Sequence, residues 1–192
     1  MFIVLAILPV YPVTQAVTTA TKSYIEKDAY FQSRKQMAWF FSLWIFGTAD
    51  KEGYWLNNDI KHAAAQDKMV GKTLGLDNYD YETLKSSEEF ELLVKTVTNF
   101  KVSPLLAPKE LLKKLPHVTI YISEHDVLKD DGILMYDRLI DAGNSNRTKL
   151  VTWEGAIHVE TILSKQAIGF DLVPQATRWV SEYMTVLKHF TE

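Results

Sequence analysis

Two polar residues stand where a proton-transfer pair would have to stand. Asp126 follows the apolar run Val118-Thr119-Ile120-Tyr121-Ile122 by a few residues. His158 follows the run from Thr148 to Trp153, behind Glu154-Gly155-Ala156-Ile157. If both runs are parallel strands, both residues lie at carboxyl ends, where such sheets gather ligands and catalysis. A carboxylate bonded to one imidazole nitrogen fixes the tautomer. It leaves the other nitrogen free to take a proton from a nucleophile. Each residue alone also has a plainer reading: an Asp after a strand commonly forms a turn or caps a helix, and a lone His is commonly a satisfied surface or core group.

The surrounding pattern supplies the strands. Residues 118–122 and 148–153 read as strands joined by a helix. Asp130 is expected to N-cap that helix, with Ile133, Tyr136, Leu139 and Ile140 facing inward and Gly143 at its stop. Residues 174–190 read as a last helix, with Pro174 in its first turn and Ala176, Trp179, Val180, Tyr183 and Leu187 inward. The opening apolar run, broken by Pro9 and Pro12, reads as a third buried parallel strand over residues 2–8. It is far shorter than the ~20 residues of a membrane helix and lacks the positive start of a signal peptide. Such a strand is an exposed apolar edge unless something precedes it. Strand, helix, strand, helix predicts an α/β fold with a parallel sheet.

The middle of the chain reads as mostly helical. Residues 13–25, rich in Thr, are expected to be a loop. Residues 28–46 read as a helix with Met37, Phe40, Phe41, Trp44 and Ile45 on one face, broadened by Trp39 and Phe46. That stripe is either core or the wall of a substrate pocket. Residues 54–66 suggest a short helix, and Gly71, Gly75, Asp77 and Asn78 a turn-rich link. Ser86-x-x-Glu89 has capping-box spacing before a helix containing Phe90, Leu93, Val94 and Val97. Ser103-Pro104 and Ala107-Pro108 punctuate the next loop.

Composition narrows the function classes. The 192 residues are 47% hydrophobic and 23% charged, with a net charge of −3, as for a packed globular chain. No stretch forms a basic stripe, so nucleic acid is not an expected partner. The absence of cysteine excludes disulfides, a thiolate nucleophile and thiolate-bound metal, while leaving the compartment open.

The segment Ile122-Ser123-Glu124-His125-Asp126-Val127-Leu128-Lys129-Asp130-Asp131-Gly132 resembles the acid motif of the hormone-sensitive-lipase-like α/β-hydrolases. Within them it looks most like the arylacetamide deacetylase and neutral cholesterol ester hydrolase branch. Tyr136-Asp137-Arg138-Leu139 and Asp141-Ala142-Gly143 continue the resemblance. Glu154-Gly155-Ala156-Ile157-His158 is similar to the family's Gly-x-x-His motif. Ser103-Pro104-Leu105-Leu106-Ala107 resembles the loop before the acid strand, and Ile7-Leu8-Pro9-Val10-Tyr11-Pro12 the strand end after the nucleophile helix. The resemblance implies a triad acid at Asp126 and a triad base at His158, in the family's order. It implies helix-start residues at Asp130 and Asp131, and pocket candidates at Phe40, Phe41, Trp44 and Ile157, the last where relatives often carry an aromatic. The implied layout is a partial α/β-hydrolase domain, with sheet core over 1–19 and 101–192 and a helical cap over 20–100.

The nucleophile elbow of such enzymes needs G-x-S-x-G, because small neighbours permit the strained strand-to-helix turn. No serine here has that setting. Gly143-Asn144-Ser145 comes nearest and is followed by Asn146-Arg147. The His-Gly-Gly-Gly oxyanion loop is also missing, so the chain is expected to be the C-terminal half of an esterase, inactive alone. The parent is expected to act on a hydrophobic ester or amide, small molecule or lipid, without metal or organic cofactor. The resemblance further implies an endoplasmic reticulum location, lumenal, with any anchor N-terminal to these residues. Asn146-Arg147-Thr148 then becomes a glycosylation candidate. The rival expectations are a truncated hydrolase that binds hydrophobic ligands or partners, a membrane-surface protein inserting residues 1–8, and, more weakly, a phosphate-binding α/β module.

Overall fold

Three parallel strands form one sheet in the order β1 (Ala6–Ile7), β2 (His117–His125), β3 (Thr148–Ile157). This is a computed structural model, and it describes residues 4–28, 30–65, 68–75 and 87–190. The central strand is buried on both faces, which is why it reads as a continuous apolar run. Val118, Ile120 and Ile122 pack against Leu112, Leu139 and Ala142 on one side. Tyr121 packs with Trp153, Ala156, Ala176 and Trp179 on the other.

The crossover from β2 to β3 is α8 (Lys129–Asp141), the eighth α-helix among the described residues. It follows α1 (Lys22–Glu26), α2 (Arg34–Phe46), α3 (Gly53–Leu56), α4 (Asp59–Ala64), α5 (Lys68–Leu74), α6 (Glu88–Val97) and α7 (Lys109–Leu112). Two more helices, α9 (Lys165–Ile168) and α10 (Pro174–His189), close the chain. The layer from α1 to α6 has its own core, built on Tyr24, Met37, Phe41, Trp55, Ile60 and Leu93. Val127 and Leu128, from the turn after β2, are buried in that same core, so the helical layer grips the turn carrying Asp126. Among the described residues no helix is long and apolar enough to cross a membrane.

Several sequence expectations are corrected. Residues 2 and 3 of the expected first strand lie outside the described residues; over 4–8 the ladder covers only Ala6–Ile7, with an isolated bridge from Val10 to Tyr121, and Val4 and Leu5 are exposed at the sheet edge. Residues 13–21 form the expected loop, but it is an inward one and gives way to helix at residue 22. Thr14 to Thr19 are buried, and α1 follows them. Their polar groups are satisfied internally. The Thr14 N–H and Gln15 Nε2 donate to Asp131 at 3.0 Å each, the Ala16 N–H donates to Ser103 Oγ at 2.9 Å, and Trp55 Nε1 donates to the Ala16 carbonyl at 2.7 Å.

Helix α2 begins at Arg34 rather than 28, because Ser33 and Gln36 form a reciprocal capping box there. Its buried face is Met37, Ala38, Phe41 and Ser42, while Phe40 and Trp44 point outward at 47% and 59% exposure. The span 54–66 is two short helices, α3 and α4, and Gly71 lies inside α5 rather than in a link. Asp77, Asn78 and Ser86 lie outside the described residues; the cap contact of α6 is made by Ser87, which accepts from the Phe90 N–H at 3.2 Å. Asp130 does not cap α8 either. It sits in the first turn and accepts from the Ser23 N–H at 2.7 Å.

Candidate active site

The register of the sheet decides whether Asp126 and His158 can meet. From Val118↔Thr148 to Ser123↔Trp153, β2 and β3 pair one for one. The next pair is His125↔Ile157, so β3 spends two extra residues on that step. This bulge is built on Glu154-Gly155. Gly155 adopts φ 73°, which side-chain-bearing residues disfavour, and its N–H donates to Glu124 Oε2 at 2.8 Å. The slip brings the residue after Ile157 beside the residue after His125. Those residues are His158 and Asp126.

The two side chains are joined. His158 Nδ1 lies 2.8 Å from Asp126 Oδ2. The other carboxylate oxygen, Oδ1, accepts from the Leu128 N–H at 2.8 Å. Asp126 is 1% exposed, so neither bond is diluted by solvent. A carboxylate only accepts, so Nδ1 carries the ring proton and Nε2 presents a lone pair. The His158 side chain keeps 16% exposure, and among the described residues no hydroxyl pairs with Nε2. This is the arrangement of a general base held in one tautomer.

Asp131, the tenth residue of the acid motif, ties the start of α8 to the buried segment at Thr14 and Gln15. Asp131 is fully buried. Burial pushes its carboxyl up to about 7, against the opposing pull of the Gln15 side chain and the Thr14 and Gln15 N–H donors. The sequence alone placed Asp131 at a helix start; it did not disclose that this carboxylate organises the buried segment 14–19.

Tyr11 is the residue that sequence reasoning passed over. Its ring packs on His158 with centroids 5.1 Å apart, tilted 53°. Beside it, on the α10 side of the sheet, an apolar cleft of about 560 Å³ is lined by Tyr11, Trp153, Val159, Ile162, Val180 and Met184, among others. None of Phe40, Phe41, Trp44 and Ile157 lines this cleft. Phe41 is core, its ring 5.7 Å from that of Trp55, whereas Phe40 and Trp44 face outward. Asn146 is exposed in the 3₁₀ turn Ser145–Arg147.

A parallel sheet with flanking helices and a carboxylate–imidazole pair at its carboxyl rim defines an α/β-hydrolase-type chain. Residues 79–162 match a family model described as the alpha/beta hydrolase fold. The chain has the alpha/beta hydrolase fold, and the relatives that follow support its resemblance to the hormone-sensitive-lipase-like kind. It is similar to neutral cholesterol ester hydrolase 1 of Mus musculus, with 32% identity over 146 residues, covering 70% of this chain and 36% of that protein. It is also similar to the arylacetamide deacetylase of Bos taurus, with 31% identity over 86 residues, covering 45% and 21%. The chain thus spans about a third of the length of the cholesterol ester hydrolase relatives. Among solved structures, a thermostable esterase from Pseudomonas putida superposes with a TM-score of 0.63 at 23% identity, covering 100% of this chain and 44% of that one. An esterase from Pyrobaculum calidifontis gives 0.60 at 18% identity, covering 98% and 44%. At these identities the solved structures speak for the fold alone.

Proposed function

We propose that this chain carries the acid–base half of a Ser-His-Asp carboxylic ester hydrolase. The observation that carries the reading is the 2.8 Å contact between His158 Nδ1 and a buried Asp126. In this reading His158 Nε2 takes the proton of a serine hydroxyl and later returns it to the leaving alcohol or amine. Asp126 holds the ring and stabilises its charged form. Residues 1–192 present no nucleophile elbow and no oxyanion loop, so the chain by itself hydrolyses no ester. The substrate class is a hydrophobic ester or amide, by analogy with the names of the cholesterol ester hydrolase and arylacetamide deacetylase relatives. The reading extends to the lumenal setting that the resemblance implies, in which the exposed Asn146 of the sequon is open to a glycan.

The test is a chimera in which these residues replace the matching segment of the mouse cholesterol ester hydrolase relative, assayed on a p-nitrophenyl ester. The expected result is hydrolysis that falls about 10⁴-fold with Asp126→Asn and about 10⁶-fold with His158→Ala. A chimera that hydrolyses the ester equally well with either substitution overturns the reading.

A further inference from the structure

We propose that Tyr11 is the positioning residue of His158, its ring fixing the plane of the imidazole so that Nδ1 stays on Asp126. The proposal rests on reading Asp126 and His158 as the acid–base pair. A single hydrogen bond at Nδ1 pins one atom and leaves the ring free to swing about it. A second contact on the ring is required to fix the direction of Nε2, and the Tyr11 ring supplies it, tilted 53° with centroids 5.1 Å apart.

Tyr11 is itself held on its other sides. Its N–H donates to the Tyr121 carbonyl at 3.0 Å, and the Tyr121 N–H donates to the Pro9 carbonyl at 2.9 Å. Its ring meets Trp153 edge-on, centroids 5.5 Å apart at 71°. Its hydroxyl donates to Thr161 Oγ1 at 3.2 Å. Burial pushes the phenol up, so it remains a donor. These clamps hold a backbone that Tyr11 alone would avoid, since φ is 50°, in the left-handed region where bulky residues are rare. Strain at this position is retained where the surroundings over-determine it, and here the result is a ring laid against the imidazole.

The loop after the imidazole needs such a clamp. Val159 adopts φ 54°, an unfavourable conformation for a β-branched residue. Two side-chain bonds oppose its relaxation: Glu160 Oε2 accepts from the Ile157 N–H at 2.9 Å, and Thr161 Oγ1 accepts from Tyr11. Tyr11 therefore has two separable roles. The hydroxyl steadies the loop, and the ring steadies His158.

The experiment is nuclear magnetic resonance on the full ¹⁵N-labelled chain, following the His158 Nδ1–H proton and its exchange with water. In the unsubstituted chain, cross-relaxation between the Tyr11 and His158 ring protons is expected; its absence overturns the proposal without any variant. Tyr11→Leu is expected to speed Nδ1–H exchange about threefold to tenfold, the factor that a lost aromatic pair of this kind represents. Tyr11→Phe is expected to restore slow exchange, because it keeps the ring. A folded Tyr11→Leu chain with unchanged exchange, or a Tyr11→Phe chain as fast as Tyr11→Leu, overturns it. Failure of the underlying reading looks different: Asp126→Asn then leaves the Nδ1–H resonance where it was.

Discussion

Gly132 lies in the first helical turns of α8, buried against β2. A Cβ added there would come within 2.4 Å of Ile122 Cγ2 and 3.4 Å of Ile120 Cγ2. Carbon atoms in contact prefer about 3.5–4.0 Å, so the overlap exceeds 1 Å. Ile122 is 1% exposed and β-branched, so its χ1 is restricted and its Cγ2 is not the far end of a flexible side chain. The start of α8 must then move off the sheet, and with it the turn that carries Asp126. Overpacking of this severity costs about 3 kcal/mol. Replacing a mid-helix glycine returns about 1 kcal/mol of propensity, so Gly132→Ala is expected to lose about 2 kcal/mol net. In an Ile122→Ala background, already weakened by about 2–5 kcal/mol, the obstructing methyl is gone and Gly132→Ala should gain about 1 kcal/mol. Urea unfolding of the four chains measures the cycle, with a coupling near 3 kcal/mol expected. An equal cost in both backgrounds, or a gain in the unsubstituted one, refutes the contact as its cause.

Three further outcomes are expected. Phe41→Ala should cost about 3–5 kcal/mol, because the side chain is buried against Trp55, while Phe40→Ala on the outer face should stay within about 0.5 kcal/mol; denaturant titration separates them. Gly155→Ala should cost about 1–2 kcal/mol of left-handed backbone strain and no more, since no atom lies within 4 Å of the added Cβ; a larger loss by the same titration contradicts the open site. Asp131 has a folded value of about 7 against an ordinary 3.8, so the fold favours its protonated form. Its contribution to stability is full below pH 3.8 and is lost as the pH rises through 7. Unfolding titrations across that window should show this fall, and Asp131→Asn should remove it.

The alternation of apolar runs and amphipathic helices was legible from residue 118 onward because β2 is a short continuous apolar run and the helices that follow have a polar side that sets their phase. The C-terminal helix shows it: Ala176 and Trp179 are buried where the periodicity put them. Helix α2 defeats the same reasoning. From Met37 to Phe46 its residues are apolar on every side except for Ser42, so periodicity fixed the helix without fixing which face turns inward. Phe40 and Trp44, expected in a stripe of core or pocket wall, face outward, while Ala38 and Ser42 are buried. The stretch from Thr14 to Thr19 is the expected loop, but its burial was hidden for the opposite reason. Its polarity signals solvent, and the buried Asp131 that satisfies it lies 117 residues from Thr14.

The acid and the base were legible as residue types at the ends of strands, yet strand ends alone do not bring them together. With the one-for-one register that holds from Val118 to Ser123, the residue beside Asp126 would be Ala156. His158 would then lie two residues further on, beyond the reach of a 2.8 Å bond. The two-residue bulge closes that gap, and the requirement falls on Gly155, the residue in the bulge that turns the chain through positive φ. The glycine in the Gly-x-x-His spacing is thus a register device. Its position three residues before His158 places the bulge, and the bulge selects which side chain faces the carboxylate.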